Sequence, residues 1–260
     1  MKKDKLNICG YQGEIVWEDS EANLRQNKQL IENMEVRPDI FIFPETFSSG
    51  FSNNVESIAE TMTGPTVSAL KELSARYEMA IGGSMVIRDH GKFYNRFLFI
   101  HPDGTVDFYD KRHLFTMSGE HEAYSKGVER KIVLFRGWRI LLQVCYDLRF
   151  PVWSRNQNDY ELIIYTANWP KQRQYVWDIL LKARAIENQT YVFGLNRTGS
   201  DANNIGYVGG SVFVDPKGQV MNTPHGETAS INMELSMTEL LEFRRKFPVL
   251  NDKDKFTLKT

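Results

Sequence analysis

The most informative stretch of the chain is Arg139-Ile140-Leu141-Leu142-Gln143-Val144-Cys145-Tyr146-Asp147-Leu148-Arg149-Phe150-Pro151. Its apolar first half is short and rich in branched side chains, which predicts a buried strand rather than a helix. The strand runs out at Cys145, and Pro151 is acceptable in the first turn of a following helix. The stretch therefore predicts a strand-to-helix corner that carries a cysteine.

The rest of the chain alternates strand and helix patterns. Strands are predicted at residues 6–12, 39–43, 80–87, 93–100, 106–109, 133–135, 138–144, 162–165, 191–195, 211–214 and 219–221. Helices are predicted to begin at Ser20, Gly64 and Pro151 and to cover residues 171–189 and 237–247. The pattern predicts one α/β domain over residues 1–260, with a mixed sheet or two stacked sheets between helical layers and a polar tail at 251–260.

The clearest helical pattern lies in residues 171–189. Its apolar residues recur at helical spacing, and they are Val176, Ile179, Leu180, Ala183 and Ile186. This spacing predicts a face that packs into the core or into a subunit interface rather than one that binds a cofactor.

Composition is that of an ordinary globular protein. Hydrophobic residues make up 42% of the 260 residues and charged residues 25%, which gives no case for a disordered or fibrous protein. The formal net charge of -1 supplies no basic field for nucleic acid or an anionic membrane. The apolar segments are too short for a signal peptide or a membrane span, so we expect no membrane partner.

The two cysteines, Cys9 and Cys145, are not spaced as a disulfide framework. A reducing cytoplasm is therefore the expected compartment. Cys9 belongs to the first predicted strand, where a free cysteine usually acts as a small buried hydrophobe. The five histidines lack the spacing of a metal site, and no metal is expected.

Three predicted strands end close to a residue that can do chemistry. Glu45, Lys111 and Cys145 follow the strands at 39–43, 106–109 and 138–144. Ligands bind at such strand ends in open α/β sheets, so we expect the three side chains to converge. Each residue alone is weak evidence, since loop acids, lysines and buried cysteines are commonplace.

A thiol nucleophile needs partners that this set can supply. The thiolate is the reactive form, so a base must remove the proton, and a nearby cation lowers the thiol pKa or stabilises the negative charge that develops later. A carboxylate and an ammonium group provide both. The competing arrangement is a Cys-His dyad, for which His113 is the best candidate because it shares a loop with Lys111.

Three motifs together resemble, in order and in separation, the signatures of the nitrilase (carbon-nitrogen hydrolase) superfamily. They are Phe43-Pro44-Glu45-Thr46-Phe47, Tyr109-Asp110-Lys111-Arg112-His113-Leu114-Phe115 and Val144-Cys145-Tyr146-Asp147-Leu148-Arg149-Phe150-Pro151. The resemblance continues through Asn168-Trp169-Pro170 and residues 183–189 to Asn196-Arg197, and so covers most of the chain.

The resemblance implies a four-layer α-β-β-α sandwich of the nitrilase type, a Glu-Lys-Cys triad and pairing across a helical face into homodimers or higher homo-oligomers. The base of the family falls on Glu45, its lysine on Lys111 and its nucleophile on Cys145. A second glutamate that recurs in the family beyond the lysine matches Glu120, with Glu122 as the alternative. No cofactor is required.

The implied reaction is hydrolysis of a small-molecule amide through a thioester. Lys111 and the backbone N–H of Tyr146 are expected to stabilise the tetrahedral oxyanion. Glu45 is expected to take the thiol proton, pass it to the departing ammonia and then activate a water molecule, which Glu120 helps to position.

The sequence after the cysteine looks most like that of the bacterial omega-amidases, which hydrolyse the terminal amide of 2-oxo acid monoamides. Arg149 is then expected to hold the substrate carboxylate, with Lys171 as a second cation. The alternative for Arg149 is an ion pair with Asp147.

Aromatic residues near the predicted strand ends are candidates for the pocket walls. They are Trp169, Phe47 and Phe51, although aromatic residues in such positions are more often core. Other functions remain open: an N-carbamoyl-amine hydrolase, an aliphatic amidase, a true nitrilase, or a non-catalytic binding protein on the same fold.

Overall fold

The computed structural model describes residues 3–222 and 226–258. His225 and the last two residues of the polar tail lie outside these ranges. The strands are β1 (Lys5–Gln12), β2 (Ile40–Ile42), β3 (Ala80–Asp89), β4 (Lys92–Ile100), β5 (Val106–Asp110), β6 (Ile132–Phe135), β7 (Trp138–Val144), β8 (Leu162–Ala167), β9 (Tyr191–Asn196), β10 (Thr198–Ser200), β11 (Gly206–Val208), β12 (Val212–Val214) and β13 (Ala229–Ser236). The helices are α1 (Ser20–Glu32), α2 (Val55–Ile58), α3 (Pro65–Tyr77), α4 (Glu120–Ala123), α5 (Pro151–Ser154), α6 (Gln174–Asn188) and α7 (Met237–Lys246).

Within the described residues the strands form two main sheets and a small hairpin of β10 and β11. The six-stranded sheet has the order β13-β1-β2-β3-β4-β5, and the five-stranded sheet has the order β12-β9-β8-β7-β6. Strands β1, β2 and β3 run parallel in the first sheet, as do β7, β8 and β9 in the second. Strand β5 has the same direction as β3 because each is antiparallel to β4.

The two sheets pack face to face, which explains the continuous apolar run of β7. Ile140, Leu142 and Val144 belong to the core between the sheets, whereas Leu141 belongs to the core on the outer face. Successive side chains of a strand point to opposite faces, so a strand that is covered on both faces must be apolar at every position.

Helices cover the outer face of each sheet. Ile31 of α1 and Leu70 of α3 pack on the six-stranded sheet, and Trp177 and Leu181 of α6 pack on the five-stranded sheet. The order of layers is α-β-β-α, so the predicted four-layer sandwich is confirmed.

The face of α6 that packs on the sheet is not the face singled out by the sequence pattern. The buried apolar residues are Trp177, Leu181 and Ala185, which recur every four residues. On the other face, Ile179 is 45% exposed and Ile186 is 54% exposed. Val176 and Leu180 are partly buried and pack against the core, so core packing is confirmed for these two residues of the predicted face and not for Ile179 and Ile186. A role of this face in a subunit interface stays a prediction.

The direction of the strands brings their ends together. Strands β2 and β5 end on one edge of the first sheet, and β7 and β8 end on one edge of the second. The residues that follow these four strands form the candidate site.

Candidate active site

A buried lysine lies between two buried carboxylates at this edge. Lys111 Nζ is 2.9 Å from Glu45 Oε1, 2.9 Å from Glu120 Oε1 and 3.0 Å from Glu120 Oε2. Lys111 and Glu45 are 1% exposed and Glu120 is 0% exposed. Burial alone would lower the pKa of Lys111, but the negative charges of Glu120 and Glu45 outweigh it and raise this pKa well above its usual value. Lys111 is therefore charged across the physiological pH range.

Donors other than Lys111 fix the carboxylate of Glu45. Asn95 Nδ2 donates to Glu45 Oε1 at 2.9 Å, and the backbone N–H of Asn168 donates to Glu45 Oε2 at 2.7 Å. Asn168 Nδ2 also donates to the backbone carbonyl of Glu45 at 2.8 Å. Both asparagines are buried. Each oxygen of Glu45 thus faces a different part of the site.

Glu120, and not Glu122, joins the cluster. Glu120 accepts hydrogen bonds from Asn95 Nδ2 and from the backbone N–H of Phe115. Burial raises the pKa of Glu120, Lys111 opposes the rise, and the nearby charge of Glu45 adds to it. Glu122 is 80% exposed on the opposite side of α4. The alternative match to the second glutamate is therefore wrong.

Cys145 lies at a tight corner between β7 and a 3-10 turn at Cys145–Arg149. Its φ of 44° is in the left-handed region, which costs a residue other than glycine on the order of 1–3 kcal/mol. The carboxylate of Asp147 braces this corner, because its Oδ2 accepts the N–H of Val144 at 3.0 Å and the hydroxyl of Tyr109 at 2.8 Å. This bracing holds the thiol at the end of the strand.

The thiol of Cys145 is protonated at rest. Burial raises its pKa well above the usual value and the negative charge of Glu45 raises it further, while Lys111 opposes them. The cation therefore does not produce a resting thiolate. Since the thiolate is the nucleophile, a base has to remove the proton during attack.

The competing base, His113, is committed elsewhere. Its ring Nδ1 lies 2.8 Å from Asp147 Oδ1, and its ring stacks on that of Phe150 with centroids 3.8 Å apart. His113 does not line the cavity that contains Cys145. The geometry therefore does not form the Cys-His dyad.

A cavity of about 750 Å³ opens above the cluster and is lined by Cys145, Glu45 and Lys111. Phe51 and Trp169 form part of its wall, as expected. Phe47 does not, because it is buried and its ring stacks on Phe43 at 4.9 Å within the core. The expectation that Phe47 lines the pocket is wrong.

The arginines of the cavity wall were only partly anticipated. Arg149 lines the cavity with its guanidinium 5.3 Å from the Trp169 ring centroid. It makes no ion pair with Asp147, whose oxygens bind Tyr109, Val144 and His113. Lys171 is exposed and does not line the cavity, contrary to the expectation.

A second arginine, Arg173, lines the wall instead. The sequence pattern also did not single out Asn95, Asp147 or Asn168 as site residues. Asn168 directly follows β8, as Cys145 follows β7, although the predicted strand at 162–165 ends three residues before it.

A family model described as carbon-nitrogen hydrolase matches residues 8–242. The chain belongs to the carbon-nitrogen hydrolase family. This hydrolase is 48% identical to omega-amidase YafV of Yersinia enterocolitica over 97% of its own length and 98% of the relative. It is 30% identical to 2-oxoglutaramate amidase of Bacillus subtilis, over 95% of this chain and 97% of that one.

The fold of this hydrolase matches that of XC1258 from Xanthomonas campestris, a CN-hydrolase superfamily protein with an arsenic adduct in the active site. The TM-score is 0.95 at 42% identity, over 99% of this chain and 100% of the other. The relatives confirm the prediction of an enzyme that hydrolyses amides and resembles the bacterial omega-amidases.

In residues 3–222 and 226–258, no helix has the length and apolar character to cross a membrane. Over the same ranges, no group of three or more His, Cys, Asp and Glu side chains could hold a metal ion.

Proposed function

We propose that this hydrolase is an omega-amidase, which releases ammonia from the terminal amide of a small 2-oxo dicarboxylic acid monoamide such as 2-oxoglutaramate or 2-oxosuccinamate. The observation that carries the proposal is Arg149, a cation without a hydrogen bond or an ion pair among the described residues, in the wall of the cavity that holds Cys145. The names of the relatives point to the same chemistry.

The first half of the reaction forms a thioester. Glu45 removes the proton of Cys145, and the sulfur attacks the amide carbonyl to give a tetrahedral oxyanion. Lys111 Nζ and the N–H of Tyr146 stabilise this charge, since the first N–H groups of a helical turn have no acceptor within it. Glu45 then gives the proton to the nitrogen, the C–N bond breaks and ammonia departs.

The second half of the reaction hydrolyses the thioester. After ammonia has left, Glu45 takes a proton from a water molecule, and the hydroxide attacks the thioester carbonyl. The C–S bond breaks, the thiol regains its proton and the dicarboxylate leaves. Glu120 is fully buried and does not line the cavity, so its role in the proposal is to fix Lys111 through two hydrogen bonds.

The substrate preference depends on Arg149. Arg149 is four residues after Cys145 in the same 3-10 turn, so it would hold a bound carboxylate at a fixed distance from the thiol. A guanidinium binds a carboxylate through two parallel hydrogen bonds, worth about 1.5–3 kcal/mol. A neutral nitrile, or an amide without a carboxylate, gains nothing from this contact.

A panel of substrates tests this proposal. We expect kcat/KM for 2-oxoglutaramate and 2-oxosuccinamate to exceed that for glutamine, N-carbamoylputrescine, butyramide and a simple nitrile. Arg149→Gln is expected to lower kcat/KM for 2-oxoglutaramate by about 10- to 100-fold, because it removes a charged hydrogen-bonding partner. Ammonia release measures all of these rates.

Butyramide is the internal control, since it has an amide but no carboxylate. Its slow hydrolysis should be unchanged in Arg149→Gln. Unchanged activity of Arg149→Gln on 2-oxoglutaramate contradicts the substrate assignment. Fastest turnover of N-carbamoylputrescine, butyramide or the nitrile favours the corresponding alternative hydrolase.

We also propose that two copies of this hydrolase pair through the outer face of α6. That face carries Ile179 and Ile186, both well exposed, whereas Val176 and Leu180 beside them are partly buried against the core. Contiguous exposed apolar residues on a helix that is already packed on its other side are typical of an interface.

Ile179→Asp is expected to convert the dimer into a monomer, because it places a charge within an apolar contact. Light scattering after gel filtration measures the mass, which should fall from twice the 30.2 kDa of the chain to a single chain. Val36→Asp is the matched control, since Val36 is 81% exposed and far from this face in sequence. Equal masses for the wild type and Ile179→Asp would exclude this interface.

For localisation we propose the cytoplasm. Both cysteines are free, and Cys145 has to stay reduced to act as a nucleophile. Fractionation of the host cells alongside a cytoplasmic marker enzyme checks this assignment.

A further inference from the structure

A second guanidinium of the cavity wall has no assigned partner. Arg173 is half-buried and ends the 3-10 turn Lys171–Arg173 that leads into α6. Its side chain makes no hydrogen bond or ion pair with any of the described residues, and its guanidinium carbon lies 5.1 Å from the centroid of the Phe115 ring. A cation held in a cavity wall without a counter-ion is poised for an anion from outside the chain.

Trp169 contacts both the guanidinium of Arg149 and the backbone of Arg173, so the two arginines belong to the same part of the cavity wall. The guanidinium of Arg149 lies over the ring of Trp169, and the indole N–H of Trp169 donates to the backbone carbonyl of Arg173 at 2.8 Å. Trp169 is 2% exposed and belongs to the core on the outer face of the second sheet. Phe115, whose ring contacts the guanidinium of Arg173, packs edge-on against Tyr146 beside the nucleophile with ring centroids 5.0 Å apart.

The carboxylates of the cavity wall and of the cluster are bonded to groups other than these two arginines. Lys111 is neutralised by Glu45 and Glu120 in the cluster. The other acid of the wall, Asp201, accepts the backbone N–H groups of Asn203 and Ile205 and the hydroxyl of Tyr207. No described carboxylate therefore pairs with Arg149 or Arg173.

From this arrangement we infer that Arg173 is a specificity-determining residue that binds the 2-oxo acid end of the substrate together with Arg149. A 2-oxo acid offers the two carboxylate oxygens and the adjacent keto oxygen in one plane, which is one acceptor more than the two-donor edge of a guanidinium pairs with. Two cations also offset the repulsion between the substrate carboxylate and the cluster, in which two carboxylates outnumber one lysine. The inference rests on the proposed omega-amidase function.

The test compares Arg173→Gln with Lys171→Gln. Both remove one positive charge from the same short turn, but only Arg173 lines the cavity. KM and kcat are measured with 2-oxoglutaramate, with glutaramate, which lacks the keto oxygen, and with butyramide. We expect Arg173→Gln to raise KM for 2-oxoglutaramate by about 10- to 100-fold, to change glutaramate less and to leave butyramide unchanged. Arg173→Lys should recover part of the loss, and Lys171→Gln should match the wild type.

The outcomes separate the inference from the proposed function. An unchanged KM for 2-oxoglutaramate in Arg173→Gln overturns the inference while the role of Arg149 stands. An equal loss on all three substrates indicates a structural effect and also overturns it. Failure of the wild type to prefer 2-oxoglutaramate over butyramide instead overturns the proposed function itself.

Discussion

Cys145→Ala is expected to abolish the hydrolysis of 2-oxoglutaramate, with a loss in kcat of at least about 10,000-fold. Without the sulfur no thioester forms, and the cavity offers no other nucleophile at the end of β7. The change removes one atom from a half-buried side chain, so the fold and the binding of substrate should survive. Ammonia release measures the activity, and thermal melting confirms the fold.

Cys9→Ala is the matched control. Cys9 is fully buried, so iodoacetamide cannot reach its thiol, and burial also raises the pKa of that thiol to about 12. We expect Cys9→Ala to keep its activity per folded molecule, and iodoacetamide to inactivate the wild type by labelling Cys145. Residual turnover in Cys145→Ala, or inactivation that tracks with Cys9, contradicts the assignment of the nucleophile. An unlabelled Cys145 in a folded protein would instead favour the non-catalytic binding protein.

The sequence alone predicts that Glu45, Lys111 and Cys145 lie close together. Each residue comes within three positions of the end of a strand, and strand direction decides at which edge those residues lie. Parallel strands put their carboxyl ends at one edge, so three separate strand ends become one site. The chemistry of a thiol, a carboxylate and an ammonium group then limits the reaction, without knowledge of any distance.

The direction of the Phe47 side chain could not be predicted from the sequence pattern. Thr46, directly after the catalytic candidate Glu45, has a φ of 45°, which is in the left-handed region. This turn directs Phe47 back onto Phe43 instead of into the cavity. Since left-handed threonine is rare, the sequence gives no warning of the reversal.

Helix α6 and the turn before it show a second limit. Both faces of α6 carry apolar residues at helical spacing, so periodicity alone cannot distinguish the sheet-packed face from the exposed one. Lys171 and Arg173 lie two residues apart in a short 3-10 turn, and no period relates side-chain direction to sequence in so short an element. Which of the two cations faces the cavity depends on the packing of Trp169 and Phe115.

The second large effect concerns proton transfer by Glu45. Glu45→Gln keeps the size of the side chain but cannot accept or return a proton, so kcat should fall by about 1,000- to 10,000-fold. The reaction of Cys145 with iodoacetamide should behave differently. The charge of Glu45 helps to raise the pKa of the thiol, whereas Lys111 lowers it. Removing that charge therefore shifts the thiol pKa downward, and alkylation near neutral pH should be as fast as in the wild type or faster.

This opposite response of hydrolysis and alkylation identifies a proton shuttle. Alkylation needs only a thiolate, whereas hydrolysis needs a proton delivered to ammonia and another removed from water. Glutamine places an NH₂ group against donors such as the N–H of Asn168, so thermal melting has to show that Glu45→Gln is folded. Glu122→Gln is the matched control, because it removes an exposed carboxylate from α4, the helix that also carries Glu120. If turnover and alkylation of Glu45→Gln fall together in a folded protein, Glu45 acts by positioning Cys145, and if neither falls, the base lies elsewhere.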